Sequence, residues 1–354
     1  MAEKVLVKGN EALAEAAILS GCRHYFGYPI TPQTEIAAYM AKRMPKVGGV
    51  FLQAESEVAA ANMVFGAAGA GARVLTSSSS PGISLKAEAL SYIAGCDLPC
   101  VVVNIVRAGP GLGGIQPAQS DYFQATKGHG HGDYQMIVLA PSSVQEIIHL
   151  TADAFDLADL YRMPVMIIGD GMLGQMMEPV EFDLGQRRAL PEKTWATTGT
   201  EMKREHNIIN SLIMNPDDLE ACVRERYKRY DSIKENEVMA EEYLMEDAEV
   251  MITAYGSTAR IAKNAIAELR KKGIKAGLVR PITLWPFPEK FYQKYTNQVS
   301  AILSVEMSMG QMVEDVKLAV SGKVPVHFYG RTGGNIPYPD EIVNAVLEIA
   351  GGDK

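Results

Sequence analysis

Three short stretches carry side chains that could do chemistry. In Gly27-Tyr28-Pro29-Ile30-Thr31-Pro32 one hydroxyl, Thr31, stands between two prolines. Proline fixes φ and biases the residue before it away from the α region, so the backbone reaches Thr31 stiff and extended. The spacing then predicts an amphipathic helix that Pro32 can start. A hydroxyl on a rigid strand-to-helix turn can meet a ligand; the competing reading is an ordinary N-cap at Thr31. The second stretch, Glu55-Ser56-Glu57, opens a predicted helix of small residues. Acids in a first helical turn are favoured by the macrodipole, which alone would account for both. That helix is made largely of small apolar residues, however, so one face must lie deep in the fold or in an interface. A carboxyl at its start is then partly desolvated and can share a proton with a ligand nitrogen. Glu57, two residues deeper, is the better placed of the two. The third is Arg107, between an apolar run and Ala108-Gly109-Pro110-Gly111-Leu112-Gly113-Gly114. Its guanidinium fork suits a carboxylate; the alternative is a surface arginine in a loop.

Weaker signals surround these. Ser77-Ser78-Ser79-Ser80-Pro81-Gly82 reads as a loop between a strand and a helix, where ligands bind in α/β sheets, or as a plain helix-capping turn. His129-Gly130-His131 is read as a packing or loop pair in preference to a metal site. The Gly run after Arg107 is not GxGxxG opening a helix, so no dinucleotide site is read there. Cys22, Cys96, Cys100 and Cys222 show no CxxC spacing, which speaks against a zinc site or iron–sulfur cluster held by this chain and for buried free thiols in a reducing compartment.

The elements that must position these groups alternate. Residues 1–185 read as strands separated by helices, the pattern of βαβ units on a parallel sheet. The apolar run 99–106 reads as a strand buried on both faces. Residues 186–246 are charge-rich and read as a solvated helical linker, with an arm on a partner subunit as the other reading. Residues 247–354 restart the alternation as a smaller α/β domain. No short internal repeat is found.

With 354 residues, of which 47% are hydrophobic and only 7% aromatic, the chain can bury a large core of helices packed on sheets. Its 34 basic and 42 acidic residues leave a net charge of −8, and no basic run alternates with aromatics, so no nucleic acid partner is expected. No apolar run reaches transmembrane length, and Met1-Ala2-Glu3-Lys4 leads into a short strand with no signal-peptide core. No membrane association and a cytoplasmic location are the expectation.

Taken together these motifs resemble the alpha subunit of the 2-oxoacid:ferredoxin oxidoreductases, in particular the branched-chain (3-methyl-2-oxobutanoate, or 2-ketoisovalerate) type. The resemblance runs over nearly the whole chain. Its marks are Gly27-Tyr28-Pro29-Ile30-Thr31-Pro32, Glu55-Ser56-Glu57 with its small-residue helix, Ser79-Ser80-Pro81-Gly82-Ile83-Ser84-Leu85, and Arg107 with its Gly loop. The stretch Gln119-Ser120-Asp121-Tyr122-Phe123-Gln124-Ala125-Thr126-Lys127-Gly128 is similar to the branched-chain members more than to those for 2-oxoglutarate. The resemblance implies a pyrimidine-type thiamine diphosphate-binding domain with a parallel sheet, followed by a smaller transketolase C-terminal-like α/β domain. It implies that Glu57 hydrogen-bonds the cofactor's aminopyrimidine, that Pro29, Ile30, Ser79 and Ser80 help to bind the cofactor, and that Thr31 and Arg107 contact the 2-oxoacid, Arg107 at its carboxylate. It further implies a beta subunit carrying the diphosphate and Mg²⁺, a gamma subunit, a ferredoxin-like delta subunit with [4Fe–4S] clusters, ferredoxin as electron acceptor and CoA as co-substrate. Gly169-Asp170-Gly171 opens like the metal motif of thiamine enzymes, but no Asn follows until Asn207, so it is read as a loop and no metal is expected on this chain. The rivals are the same chemistry on 2-oxoglutarate, pyruvate or an aryl pyruvate, a non-catalytic scaffold subunit, and a nucleotide-binding Rossmann protein acting alone.

Overall fold

A computed structural model describes residues 4–351; residues 1–3 and 352–354, at the two ends of the expected domains, lie outside the described residues. The first half runs β1 (Val5–Lys8), α1 (Gly9–Leu19), β2 (His24–Gly27), α2 (Thr34–Arg43), β3 (Val50–Gln53), α3 (Glu57–Gly69), β4 (Val74–Ser78), α4 (Pro81–Gly95), β5 (Cys100–Val106), α5 (Tyr122–Thr126), β6 (Ile137–Leu139), α6 (Val144–Tyr161), β7 (Pro164–Asp170), α7 (Gly171–Gln175) and β8 (Met177–Val180). The second half runs α8 (Pro216–Asn236), β9 (Ala240–Tyr243), β10 (Val250–Thr253), α9 (Gly256–Lys271), β11 (Ala276–Pro281), β12 (Thr283–Trp285), α10 (Glu289–Gln293), β13 (Ala301–Glu306), α11 (Met312–Val320), β14 (Val326–Gly330) and α12 (Pro339–Gly351).

Seven strands form the first sheet in the order β12-β6-β7-β5-β4-β2-β3, parallel except for β12. Every residue of β5 is buried, as a central parallel strand with both faces covered requires. Val102, Val106, Met166 and Ile168 point into one core with α3 and α4, while Val101, Val103, Val165 and Ile167 point into another with α1, α2 and α6. That is the period-2 alternation of a strand written into an all-apolar run. The second sheet, β14-β13-β10-β11-β9, is parallel except for β9.

The two sheets are laced together. β12 comes from the second half of the chain yet pairs with β6, Thr283 opposite Leu139, so the second unit covers an edge of the first sheet. Gln119 is buried and acts as a rivet. Its Nε2 donates to Tyr255 O at 2.9 Å, and its Oε1 accepts from Thr258 Oγ1 at 2.9 Å and from Met307 N at 3.0 Å. Tyr122 Oη donates to Asp315 at 2.6 Å, and Gln311 binds both Ser120 O and Phe123 N. The stretch 119–128 is therefore an interdomain clamp.

Several expected element boundaries move. Pro32 does not start α2: its carbonyl accepts from Asn10 Nδ2 at 2.9 Å, so it is taken before a helical ladder can use it, and the helix begins at Thr34. The predicted loop at 77–82 shrinks to two residues, because β4 continues in register with β5 as far as Ser78 opposite Asn104. The predicted loop at 169–171 is the end of β7. Asp170 closes that strand and caps α7, accepting from Met172 N at 2.9 Å and Leu173 N at 3.1 Å, and it also accepts from Ser257 Oγ of the second unit. Burial raises the Asp170 pKa. The segment 186–246 is helical only over α8, which Asn215 caps and Pro216 starts. Before it, the chain forms a strap held by Lys193–Asp159 and Arg187–Asp156 ion pairs and by Arg162 stacked on Trp195. After it, β9 joins the second sheet.

The Asp170 junction should matter for stability. Asp170→Ala leaves three donors, two of them buried, without their acceptor and should cost about 2–4 kcal/mol. A drop in the unfolding midpoint of the purified protein is the expected reading; an unchanged midpoint would contradict the junction.

Candidate active site

Four adjacent strands, β5-β4-β2-β3, end side by side: Ser78 lies opposite Asn104 and Gly27 opposite Gln53. The chain leaves β2 towards β3 on one side and leaves β4 towards β5 on the other. The crevice between β2 and β4 is thus a topological switch point, where loops diverge and a ligand can enter. Buried polar side chains line it. Ser77 Oγ donates to Gln33 Oε1 at 2.6 Å, so its remaining contact, 2.7 Å from Tyr25 Oη, is one in which the tyrosine donates. Burial pushes the Tyr25 phenol up to about 12, which keeps that donor proton in place.

Glu57 opens α3 just after β3. Ser56 is the N-cap, its Oγ accepting from Ala59 N at 3.1 Å. Glu55 is exposed, whereas Glu57 is only 5% exposed. Its carboxyl faces the first turn of α4. A Cβ on Gly82 would sit 2.5 Å from Glu57 Oε1 and 2.1 Å from Ser78 Oγ, so only glycine permits this approach. Ser78 and Ser79 are fully buried, and neither Oγ has a hydrogen-bond partner among the described residues. One turn further along α4, Lys86 is fully buried, and burial holds its amine down at about 7.

Arg107 closes β5 and meets the loop that carries Thr31. Its Nη1 donates to Thr31 O at 3.1 Å and its Nη2 to Leu112 O at 3.2 Å, while Nε is buried without a partner among the described residues. Ser80 Oγ grips the Arg107 backbone, accepting from its N at 3.1 Å. Ser80 itself has φ of 30°, strained for a residue with a Cβ, and its N–H is held by Asn104 Oδ1 at 3.1 Å. Asn104 in turn donates to Asp121 at 2.8 Å; burial raises the Asp121 pKa. Thr31 is exposed, as is Pro29, and Ile30 is half-buried.

Arg107 thus touches both the Thr31 carbonyl and Ser80, and Glu57 lies with Ser78 and Gly82 one strand away, joined through the Ser79–Ser80 turn. Pro29 and Ile30 share the Thr31 loop. The two histidines separate: His129 is buried with ring nitrogens 3.1 Å from Ile83 O and 3.3 Å from Gln124 O, and His131 lies edge-on to Tyr92 at the surface. Among the described residues no three His, Cys, Asp or Glu side chains stand close enough to hold a metal ion.

Sequence reasoning includes Gly82 and Asp121 in its quoted stretches without giving either a role, and misses Gln33, Asn104 and Lys86. Asn104 had a signal, a lone amide inside the apolar run 100–106. Lys86 had none, since a lysine in a helix reads as a surface residue.

The family model described as pyruvate flavodoxin/ferredoxin oxidoreductase, thiamine diphosphate-binding, matches residues 15–242, and that for pyruvate:ferredoxin oxidoreductase core domain II matches residues 248–342. The chain belongs to the 2-oxoacid:ferredoxin oxidoreductase family. It is 49% identical to a ketoisovalerate oxidoreductase subunit VorB of Methanothermobacter marburgensis, over 98% of both chains. It is 36% identical to a 2-oxoglutarate synthase subunit KorA of Methanothermobacter thermautotrophicus, over 99% of this chain and 100% of that one. Among solved structures, a 2-oxoglutarate:ferredoxin oxidoreductase from Magnetococcus marinus superposes with a TM-score of 0.89 at 30% identity, over 98% of this chain and 65% of that one. A split-gene transketolase shares the fold, with a TM-score of 0.60 at 15% identity. This oxidoreductase chain is therefore one subunit of a multi-subunit enzyme, and its first unit is the thiamine diphosphate-binding one. The residues at the switch point fit the group: a buried carboxyl, two buried hydroxyls without partners and a glycine cradle suit the polar edge of an aminopyrimidine. No helix among the described residues is long and apolar enough to cross a membrane.

Proposed function

We propose that this chain is the alpha subunit of a branched-chain 2-oxoacid:ferredoxin oxidoreductase, converting 3-methyl-2-oxobutanoate and CoA to the acyl-CoA and CO₂ with electrons passed to ferredoxin. The observation that carries the family's chemistry onto these residues is the meeting of the buried Glu57, the Gly82 cradle and the Arg107–Thr31 pair at four adjacent strand ends. The branched-chain substrate is supported by the higher identity to the ketoisovalerate subunit, 49%, than to the 2-oxoglutarate subunit, 36%.

Thiamine diphosphate, when bound, supplies the electron sink that makes loss of CO₂ feasible. Glu57 holds or releases a proton at the pyrimidine nitrogen, out of contact with bulk water. Arg107 offers its free Nε–H and the remaining Nη protons to the substrate carboxylate, and Thr31 orients the same end, which is positioning and not bond chemistry. The diphosphate and Mg²⁺ belong on a beta subunit and the [4Fe–4S] clusters on a ferredoxin-like delta subunit, with a gamma subunit as a further partner. A reducing cytoplasm suits the four cysteines, all free thiols: Cys22, Cys96 and Cys100 are buried as expected, but Cys222, on the charged helix α8, is exposed.

The test is CoA-dependent viologen reduction by the anaerobically purified complex, fed 3-methyl-2-oxobutanoate, pyruvate, 2-oxoglutarate and indolepyruvate in parallel. Fastest turnover on the branched acid is expected. Faster turnover on another acid would move the substrate, and none on any acid, with cofactor and iron present, would put a scaffold role ahead. In the same assay Arg107→Ala should raise the apparent KM for the 2-oxoacid about tenfold or more, the value of one lost charge-assisted pair, with a smaller change in kcat. An unchanged KM would remove Arg107 from the carboxylate site.

A further inference from the structure

The chemistry above leaves the buried amine of Lys86 unused. Lys86 lies on α4 one turn after Gly82 and on the same face, and none of it is exposed. Its Nζ donates to Thr76 Oγ1 at 2.6 Å and to Ser77 O at 3.0 Å. Both acceptors belong to the end of β4, directly before the two unpartnered serines. Gly82, four residues earlier, is where Glu57 Oε1 packs. A lysine buried on a helix that otherwise packs apolar residues is costly to keep, and an apolar side chain of similar length would fill the same space at less cost.

The titratable groups that face it come from three elements: Glu57 from α3, Cys100 from β5, and His129 from the loop after α5. Burial pushes the Cys100 thiol up to about 12 and lowers the His129 pKa, so both favour their neutral forms. Glu57 is the one carboxyl among them.

We propose that Lys86 is a positioning residue for Glu57: its buried nitrogen, on the α4 face that Glu57 packs against at Gly82, adjusts how firmly Glu57 holds the proton it shares with the cofactor's pyrimidine nitrogen. The proposal rests on the reading of Glu57 as the cofactor's partner. A charged ammonium on that face favours the shared proton on the pyrimidine side; a neutral amine favours it on the carboxyl. The inventory balances: as pH rises, Lys86 gives one proton to solvent, and the shared proton only changes side. Because burial already holds Lys86 near neutrality, this exchange falls within the working pH range.

The experiment uses the assembled complex with thiamine diphosphate and no substrate, and follows the near-ultraviolet circular dichroism of the cofactor's pyrimidine against pH. Wild type should show a transition near neutrality. Lys86→Met should abolish it, or move it by about one pH unit or more, and lower turnover about tenfold without lowering the unfolding midpoint. Thr76→Val keeps the lysine but removes an acceptor for its ammonium, and should move the transition to lower pH; it carries the test where Lys86→Met fails to assemble. A wild-type signal flat across neutrality, or a transition unmoved in these variants, overturns the proposal. Glu57→Gln run alongside separates the two readings. Loss of the pyrimidine signal there, with Lys86→Met like wild type, removes Lys86 alone; a retained signal and full turnover in Glu57→Gln removes both.

Discussion

Glu57→Gln should lower CoA-dependent electron transfer by about two to four orders of magnitude, the range expected when a positioned acid/base group is lost. Glutamine keeps the volume and a hydrogen-bond acceptor, so the fold has no reason to change. What it cannot do is take or return a proton. The side chain is 5% exposed and enclosed by Ser78 and Gly82, so bulk water is poorly placed to replace it. The change should appear in kcat, with the 2-oxoacid KM little altered, because Arg107 and Thr31 hold the other end of the site. Turnover near wild type would remove Glu57 from the chemistry. Glu55→Gln, two residues away and exposed, is the internal control and should behave as wild type.

Gly82→Ala should have a comparable effect for a different reason. On helix propensity alone, alanine in the first turn of α4 would be the more stable choice, by about 0.5–1 kcal/mol. Here the added methyl would stand 2.1 Å from Ser78 Oγ and 2.5 Å from Glu57 Oε1, too close for either to remain. The carboxyl must swing away from the place proposed for the cofactor, and displacement of about 1 Å at such a group costs on the order of a hundredfold in rate. Both turnover and thiamine diphosphate content of the purified complex should fall, while the unfolding midpoint stays within a few degrees of wild type. Full cofactor content with full turnover would show that the α3–α4 contact is not part of the site.

Much of this molecule is legible in its residue pattern. The all-apolar run of β5, the alternation of helices with strands and the restart near residue 250 follow from burial and periodicity, which are local properties. Glu57 could be singled out because its helix is made of small residues and must be enclosed. Arg107 and Thr31 could be singled out because each sits at a stiff strand end.

Spatial order is not local, and it was decided elsewhere. That β4 lies between β2 and β5, with β3 outside, is what sets Glu57, the serine turn and the Arg107–Thr31 pair at neighbouring strand ends. Nothing in the spacing of residues 31, 57, 80 and 107 states that order. The return of β12 to the first sheet, the rivet at Gln119 and the cap at Asp170 depend on partners about 90–190 residues away, contacts that no short window can register. Lys86 is the sharpest case. By itself it is a helix lysine that belongs in water, and only the closure of α4 against β4 takes it out of water and ties it to Thr76 and Ser77.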